Sequence, residues 1–498
     1  MKPISYRGIV RPNRLEAGGD QSRGNDLMTG ELCYLSANEL LAAFRTKSLS
    51  PVTVAEAVLN RIEAHNGDLN CFCLVDPESA MAQARASEAR WFKGEPKGRL
   101  DGVPVSIKDL VLAKGWPTMK GSRTTDPNQA WQEDGPATAR LREHGAVILG
   151  KTTTPEFGWK GATDNPLTGI TRNPWNLAKT PSGSSGGGAA AVAAGMGPLA
   201  VGTDGGGSVR LPASFCGLFG IKASFGVVPA YPGQPPPLRT LSHVGPMARS
   251  VADAALMLAV LSEPDDRDWL ALKDGPRDYR NVLDNGVADL RIAYSADLGF
   301  AKVDHEVAGL IASAARVFEE LGANVEERDP GFDDPTELWM THFRAAGPLL
   351  LDLLSEEQKD QLDPELRKRW SAGTVPSLSE FFAAATAREA LGQHMARFHR
   401  SYDLLLTPVA SVASFDVGLL GPAGYGPDPH ISWMPFTPPF NLTHQPAASV
   451  PCGFTSEGMP VGLQIVGAMY RDDLVLRAAR AYEAARPTWE RRPVMPAG

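Results

Sequence analysis

The stretch TPSGSSGGGAAAVAAGMGPLAVGTDGGGSVRLPASFCGLFGIKASFG, Thr180 to Gly226, carries two serine–glycine clusters, Gly183 to Gly188 and Gly205 to Ser208. Between them the alanine–glycine run Gly186 to Gly195 predicts a tightly packed helix, and Leu199 to Gly202 predicts a short apolar strand. Glycine lets a backbone N–H approach a reacting group closely, and an oxyanion hole is built from such N–H groups. Gly205, Gly206 and Gly207, directly ahead of the Ser208 hydroxyl, are therefore candidate donors beside a candidate nucleophile.

Working outward, the same strand–helix alternation recurs. Val103 to Ile107 is an apolar run ending on Lys108, Pro136 to His144 reads as a helix, and Ala146 to Leu149 as another strand. Ser50-Pro51 opens a helix with a capping hydroxyl and proline at its first position. Ser250-Val-Ala-Asp253 resembles a capping box ahead of a helix over 251–261. Arg291 to Tyr294, Ala323 to Glu327, Asp403 to Leu406, Ala448 to Pro451 and Val461 to Val466 have strand character. Glu306 to Leu321 and Asp472 to Ala485 read as helices. Strands alternating with helices predict an α/β fold: a large mixed β-sheet core covered by helices on both faces. At 498 residues, the expected organisation is a loose N-terminal tail over 1–27 and a single domain over 28–498. A mostly helical insertion is expected at about 333–402.

Composition narrows the function classes. A net charge of −8 without a long basic block gives a nucleic-acid surface little electrostatic support. No apolar run approaches the length of a membrane span, and the first residues lack the apolar segment of a secretory signal. The five cysteines, Cys33, Cys71, Cys73, Cys216 and Cys452, are odd in number and scattered. That pattern fits a reducing compartment, and the cytoplasm is the expected location. Cys71 and Cys73 lack the second pair or nearby histidine of a zinc site.

Several ordered motifs together resemble the amidase signature family. Gly183-Ser-Ser-Gly-Gly187 and Gly202-Thr-Asp-Gly-Gly-Gly-Ser208 are similar to its two serine–glycine clusters, and Gly102-Val-Pro-Val-Ser-Ile-Lys-Asp109 to its lysine motif. Further landmarks are Gly150-Lys-Thr-Thr-Thr-Pro-Glu-Phe-Gly158, Thr171-Arg-Asn-Pro-Trp-Asn176, Val244-Gly-Pro-Met-Ala-Arg249 and Phe440 to Pro451. The likeness spans roughly residues 30–490. It implies an amide hydrolase with Ser208 as nucleophile, Ser184 as relay on a cis peptide, Lys108 as base and Ser185 as network support. It implies Gly205, Gly206 and Gly207 as oxyanion hole, no metal or organic cofactor, and a small-molecule amide-type substrate, with a possible homodimer. The chemistry stands on its own terms, since a serine hydroxyl is a weak nucleophile until a base takes its proton. A lysine serves only when neutral, so its pKa must fall well below about 10.4. Burial behind Val103, Val105 and Ile107 is one route. Asp204 and Arg210 flank the loop and are expected to brace its backbone.

Two patterns are decoys. Gly145 to Thr152 satisfies the Walker A spacing, but the strand-like residues lie between its glycines and Pro155 follows too soon for a P-loop helix. Gly183 to Gly187 fits G-x-S-x-G around Ser185, yet no strand precedes it and no histidine sits in a partner motif. His444 stands where many family members carry glycine and is a candidate to face the pocket. The family's commoner K-P-T-x-G-R-V-P is here Lys222-Ala-Ser-Phe-Gly-Val-Val-Pro229, and Gly205 fills a variable position.

The alternative reading is the ammonia-releasing A subunit of a glutamyl-tRNA amidotransferase. That protein typically reads S-I-R-Q-P-A where this chain has Ser208-Val-Arg-Leu-Pro-Ala213, which favours the free hydrolase. Trp339, Met340, Phe343, Trp433, Met434 and Phe436, with the loop Tyr231 to Leu238, are the expected pocket walls and point to an apolar acyl or aryl group. Amides, anilides, carbamates and esters all fit the same acyl-enzyme chemistry.

Overall fold

Strand after strand in this chain is buried on both faces, which only the interior of a large sheet permits. The computed structural model of the protein describes residues 30–233, 238–274, 277–373 and 375–495. The expected tail at 1–27, and residues 234–237 of the expected pocket loop, lie outside the described residues.

The strands are β1 Phe72–Val75, β2 Pro104–Lys108, β3 Val147–Thr152, β4 Asp164–Asn165, β5 Gly169–Ile170, β6 Leu199–Asp204, β7 Phe219–Lys222, β8 His243–Ala248, β9 Arg291–Tyr294, β10 Asn324–Glu327, β11 Leu404–Pro408, β12 Ala447–Phe454 and β13 Pro460–Gly467. Eleven of them form one sheet in the order β1-β3-β2-β6-β8-β7-β12-β13-β11-β9-β10, and β4 pairs with β5 separately. The sheet is mixed. β2 runs parallel to β3 and β6, and β9 parallel to β11 and β10, while the other pairings are antiparallel.

Helices cover both faces. Val251–Leu261, His305–Glu320 and Asp472–Ala485 pack with Val105, Ile107, Ile148 and Val201 in one cluster. On the opposite face, Val147 and Leu149 meet Ala190, Ala191 and the helices Pro51–Leu69 and Pro77–Lys93. Each Val, Leu or Ile so buried stabilises the fold by about 1.5–3 kcal/mol. Ser50 caps its helix as expected, accepting the Val52 N–H at 3.0 Å. The capping box at Ser250 is only half formed. Ser250 accepts the Asp253 N–H at 3.3 Å, but the Asp253 carboxylate turns away to accept from Ala37 N at 2.8 Å and Asn38 Nδ2 at 2.6 Å.

Three strands of the large sheet escape the sequence reading, as do the two-residue strands β4 and β5. β1 is a four-residue edge strand, β7 is equally short, and β8 carries Pro246 opposite Val201 in mid-sheet, where proline normally argues against a strand. Between β10 and β11, the helices Thr336–Arg344, Gly347–Asp352, Glu356–Lys359, Pro364–Ala372 and Leu378–Phe398 follow one another. Among the described residues, no helix is long and apolar enough to cross a membrane.

Candidate active site

The parallel pairing of β2 with β6 sets the site. Ile107 lies opposite Val201, so Lys108, one residue on, and Thr203, two residues on, come side by side at the C-terminal ends of these two interior strands. Ser184 and Ser185 arrive from the turn that starts the helix Gly186–Ala193, whose eight residues are all buried. The Gly183–Ser184 peptide bond is cis.

Lys108 is fully buried, at 0% exposure. Its Nζ lies 2.7 Å from Ser184 Oγ, 2.9 Å from Ser185 Oγ and 2.9 Å from Thr203 Oγ1. Burial drives its pKa well below the ordinary lysine range, against a weaker opposing pull from Asp204. Ser185 Oγ in turn donates to Thr203 O at 3.1 Å and accepts the Thr203 N–H at 3.2 Å. Its backbone N–H bonds Ser208 O at 3.2 Å, which ties the second cluster to the first. Ser184, Thr203 and Ser208 border a common cleft of about 680 Å³, whereas Lys108 and Ser185 sit behind it. Among the described residues the Ser208 hydroxyl carries no hydrogen bond.

Asp204, the last residue of β6, organises the loop. Its carboxylate accepts from Gly207 N at 2.8 Å, Val209 N at 3.2 Å and the Arg210 side chain at 2.9 and 3.0 Å. Burial opposes its charge, but Arg210 outweighs that and holds its pKa far below the carboxylate range. Arg210 also reaches Thr437 O, Gln464 Oε1 and Asn441 Oδ1 at 2.6–3.1 Å. This pair braces the backbone, and neither member borders the cleft.

Gly207 departs from expectation. Its N–H is engaged by Asp204, it adopts φ 126°, and it does not border the cleft. Among the described residues the N–H groups of Gly205, Gly206 and Ser208 have no protein partner. The Gly205 carbonyl accepts from Trp339 Nε1 at 3.0 Å and the Gly206 carbonyl from Thr437 Oγ1 at 2.7 Å. Gly206 is glycine of necessity, because a Cβ there would lie 2.5 Å from Trp339 Cζ2.

Of the expected walls, Trp339, Phe343, Met434 and Leu238 border the cleft. Met340 borders a neighbouring cavity instead. Trp433 and Phe436 are core residues at 0% exposure, Trp433 packing on Phe215 and Phe415. Tyr231 lies outside the cleft beneath Arg267. His444 also faces elsewhere, stacked on Phe225 with its Nε2 2.7 Å from Thr240 O. Sequence reading missed Thr203, Phe157, Trp159, Lys160 and His430. All five border the cleft, and only Thr203 and Phe157, each inside a family landmark, carried a signal. The decoys resolve cleanly. Lys151 sits within β3, 3.3 Å from Asp109, and Ser185 begins a helix without a preceding strand. Among the described residues, no group of three or more His, Cys, Asp or Glu side chains could hold a metal.

Known proteins agree with this architecture. The amidase family pattern matches residues 53–476. An acylamidase of Rhodococcus erythropolis is 37% identical, over 93% of this chain and 98% of its own. The A subunit of the glutamyl-tRNA(Gln) amidotransferase of Moorella thermoacetica is 34% identical, over 93% and 99%. The crystal structure of a bacterial aryl acylamidase of the amidase signature family superposes with a TM-score of 0.85 at 32% identity, covering 92% of this chain and 97% of that one. A mixed eleven-stranded sheet with a buried lysine beneath two serine–glycine turns, matched along nearly its whole length, places this chain in the amidase family as a carbon–nitrogen hydrolase.

Proposed function

We propose that Ser208 attacks the amide carbonyl, with Ser184 as proton relay, Lys108 as base and Ser185 as their support. The observation that carries this reading is that Lys108 is sealed behind the cleft while Ser184 touches both Lys108 and the cleft. A neutral amine has two N–H donors and one lone pair, so one of the three hydroxyls must donate to it. Ser185 is excluded, since its proton is engaged by Thr203 O. Ser184, at the shortest distance, donates its proton to Lys108 and can then accept that of Ser208. Catalytic hydrogen bonds often tighten only with substrate bound, which fits a Ser208 hydroxyl that engages no partner among the described residues.

In the first step the Ser208 oxygen bonds the carbonyl carbon, its proton passes to Ser184, and the Ser184 proton passes to Lys108. The oxyanion meets the N–H groups of Gly205, Gly206 and Ser208. Collapse breaks the C–N bond as the lysine proton returns through Ser184 to the leaving nitrogen. Water repeats the sequence on the acyl-enzyme, releasing a carboxylic acid and regenerating Ser208.

The substrate in this reading is a small, uncharged amide with an apolar acyl or aryl group. Lys160 is the one lysine or arginine bordering the cleft among the described residues, and Asp164 and Asp363 neutralise it at 2.6 and 3.1 Å. Leu211, where the amidotransferase protein typically carries glutamine, adds an apolar wall. Both features disfavour glutamine as the ammonia source. Residues 28–498 act as one catalytic unit, with 333–402 as its substrate-selecting insertion. Five unpaired cysteines support a cytoplasmic enzyme, and the family resemblance supports a homodimer.

The test is a panel of aliphatic amides, anilides, carbamates, esters and glutamine, assayed with the wild type, Ser208→Ala and Lys108→Ala. Turnover of uncharged amides or anilides lost in both variants is expected. Equal turnover by Lys108→Ala, or glutamine as the preferred member, would reject the reading.

A further inference from the structure

Beside the reactive cleft lies a second cavity of about 840 Å³, open to solvent, formed largely by the 333–402 segment. Met340, Pro348, Leu366 and Trp370 give it an apolar wall, and Ala372 borders it. Trp159, Phe343 and His430 line both cavities, so the partition is one side chain thick.

The chemistry of the chamber is that of a neutral apolar subsite. Its two arginines are already paired, Arg369 to Asp428 through two bonds of 3.0 Å and Arg344 to Glu337 at 3.1 Å. His430 is held by a 3.1 Å contact from its Nε2 to Trp159 O. Burial lowers its pKa to about 4, so it stands neutral at physiological pH. Phe343 is the least buried member of the partition, a half-buried ring stacked on Trp339 with centroids 4.9 Å apart. Trp159 and His430, by contrast, are buried and mutually packed at 5.0 Å.

We propose that this chamber receives an uncharged apolar arm of the amide substrate, admitted past Phe343 while the scissile bond lies against Ser208. The inference rests on the hydrolase reading above and adds to it a second subsite and a residue that controls entry. Occupancy removes apolar carbon from water, so each methylene that reaches the chamber raises kcat/KM by about fourfold until its length is filled.

Two substrate series test this: ω-phenylalkanamides, extended on the acyl side, and N-(ω-phenylalkyl)acetamides, extended on the amine side. Each is assayed with the wild type, with Ala372→Trp to narrow the chamber and with Phe343→Ala to widen the passage. The expected result is a rise of about fourfold per methylene along one series in the wild type. That rise should fall below about twofold in Ala372→Trp and begin at a shorter arm in Phe343→Ala. A flat wild-type response in both series, or the same slope in both variants, overturns the chamber and leaves the hydrolase reading standing. No turnover of any member overturns the hydrolase reading and this inference with it.

Discussion

Thr203 is the one rival to Ser184 as proton relay, because both hydroxyls lie within hydrogen-bond reach of Lys108 and both border the cleft. Ser184→Ala and Thr203→Val separate them. Each removes one hydroxyl partner of a buried lysine, at 2.7 Å or 2.9 Å, and each leaves the amine two others. The stability effects should therefore match, at about 1 kcal/mol apiece. The kinetic effects should not. Ser184→Ala removes the path for the Ser208 proton, and general acid–base transfer is worth about 10²–10⁴ in rate, or about 3–5 kcal/mol of barrier. Thr203→Val removes only an orienting contact, so its loss should stay within about tenfold. Release of aniline from an anilide substrate gives kcat/KM, and thermal unfolding of the same preparations gives the matched control. Equal loss of activity in the two variants, or a larger loss in Thr203→Val, would refute the proton assignment.

In the proposed mechanism Lys108 is neutral above its depressed pKa and protonated below it, so kcat/KM should fall as pH falls, on a limb below the usual lysine range. Thr203→Val, which removes an acceptor that favours the ammonium form, should move that limb to lower pH; an unmoved limb in the pH–rate profile would count against Lys108 as the titrating base. Arg210→Met strips the Asp204 charge of its partner and should cost about 3–5 kcal/mol in denaturant unfolding. Asp204 has a folded-state pKa below its unfolded value, so its contribution is present above the unfolded carboxylate pKa, about 3.9, and is lost as pH falls through the folded value. Gly206→Ala should destabilise by about 1–3 kcal/mol and lower kcat, because its Cβ would meet the Trp339 ring. Adding Trp339→Phe, with its smaller ring, should restore part of the stability, and a strictly additive double variant would refute that contact.

The sequence discloses the parts of the site that depend on backbone. Serine–glycine turns must tolerate close approach wherever they occur, so the Gly183 and Gly205 clusters are visible without any knowledge of what surrounds them. An apolar run closing on one lysine is visible for the same reason. What the sequence conceals is whatever depends on long-range neighbours. Thr203 sits inside the Gly202–Ser208 motif, but nothing in the sequence links it to Lys108 until the register of β2 and β6 sets the two side by side. Trp339 and Trp433 look alike in sequence, yet one donates to the Gly205 carbonyl and the other fills the core beneath Phe415. Glu156 and Asp363 are 207 positions apart, and only the fold brings the Asp363 N–H to that carboxylate at 2.6 Å. β8 stays hidden because Pro246 breaks the local pattern that a central strand normally shows.

Burial alone does not make a base, as three fully buried lysines in this chain demonstrate. Lys108, Lys151 and Lys222 all lie at or near the ends of sheet strands, and burial lowers the pKa of each, that of Lys222 to about 7. Their partners differ in kind. Lys151 donates to Val111 O at 2.7 Å and Thr118 Oγ1 at 2.8 Å, and faces Asp109 at 3.3 Å, an anion that favours the ammonium form. Lys222 donates to the carbonyls of Gln445 and Ala223. A carbonyl accepts a hydrogen bond but has no proton to give, so an amine held by carbonyls cannot draw a proton from anything beyond them. Lys108 alone among the three is surrounded by hydroxyls, which accept and donate through the same oxygen. In the proposed mechanism the proton path to the cleft therefore follows the partners of the lysine, and the depressed pKa keeps the amine neutral below the usual lysine range.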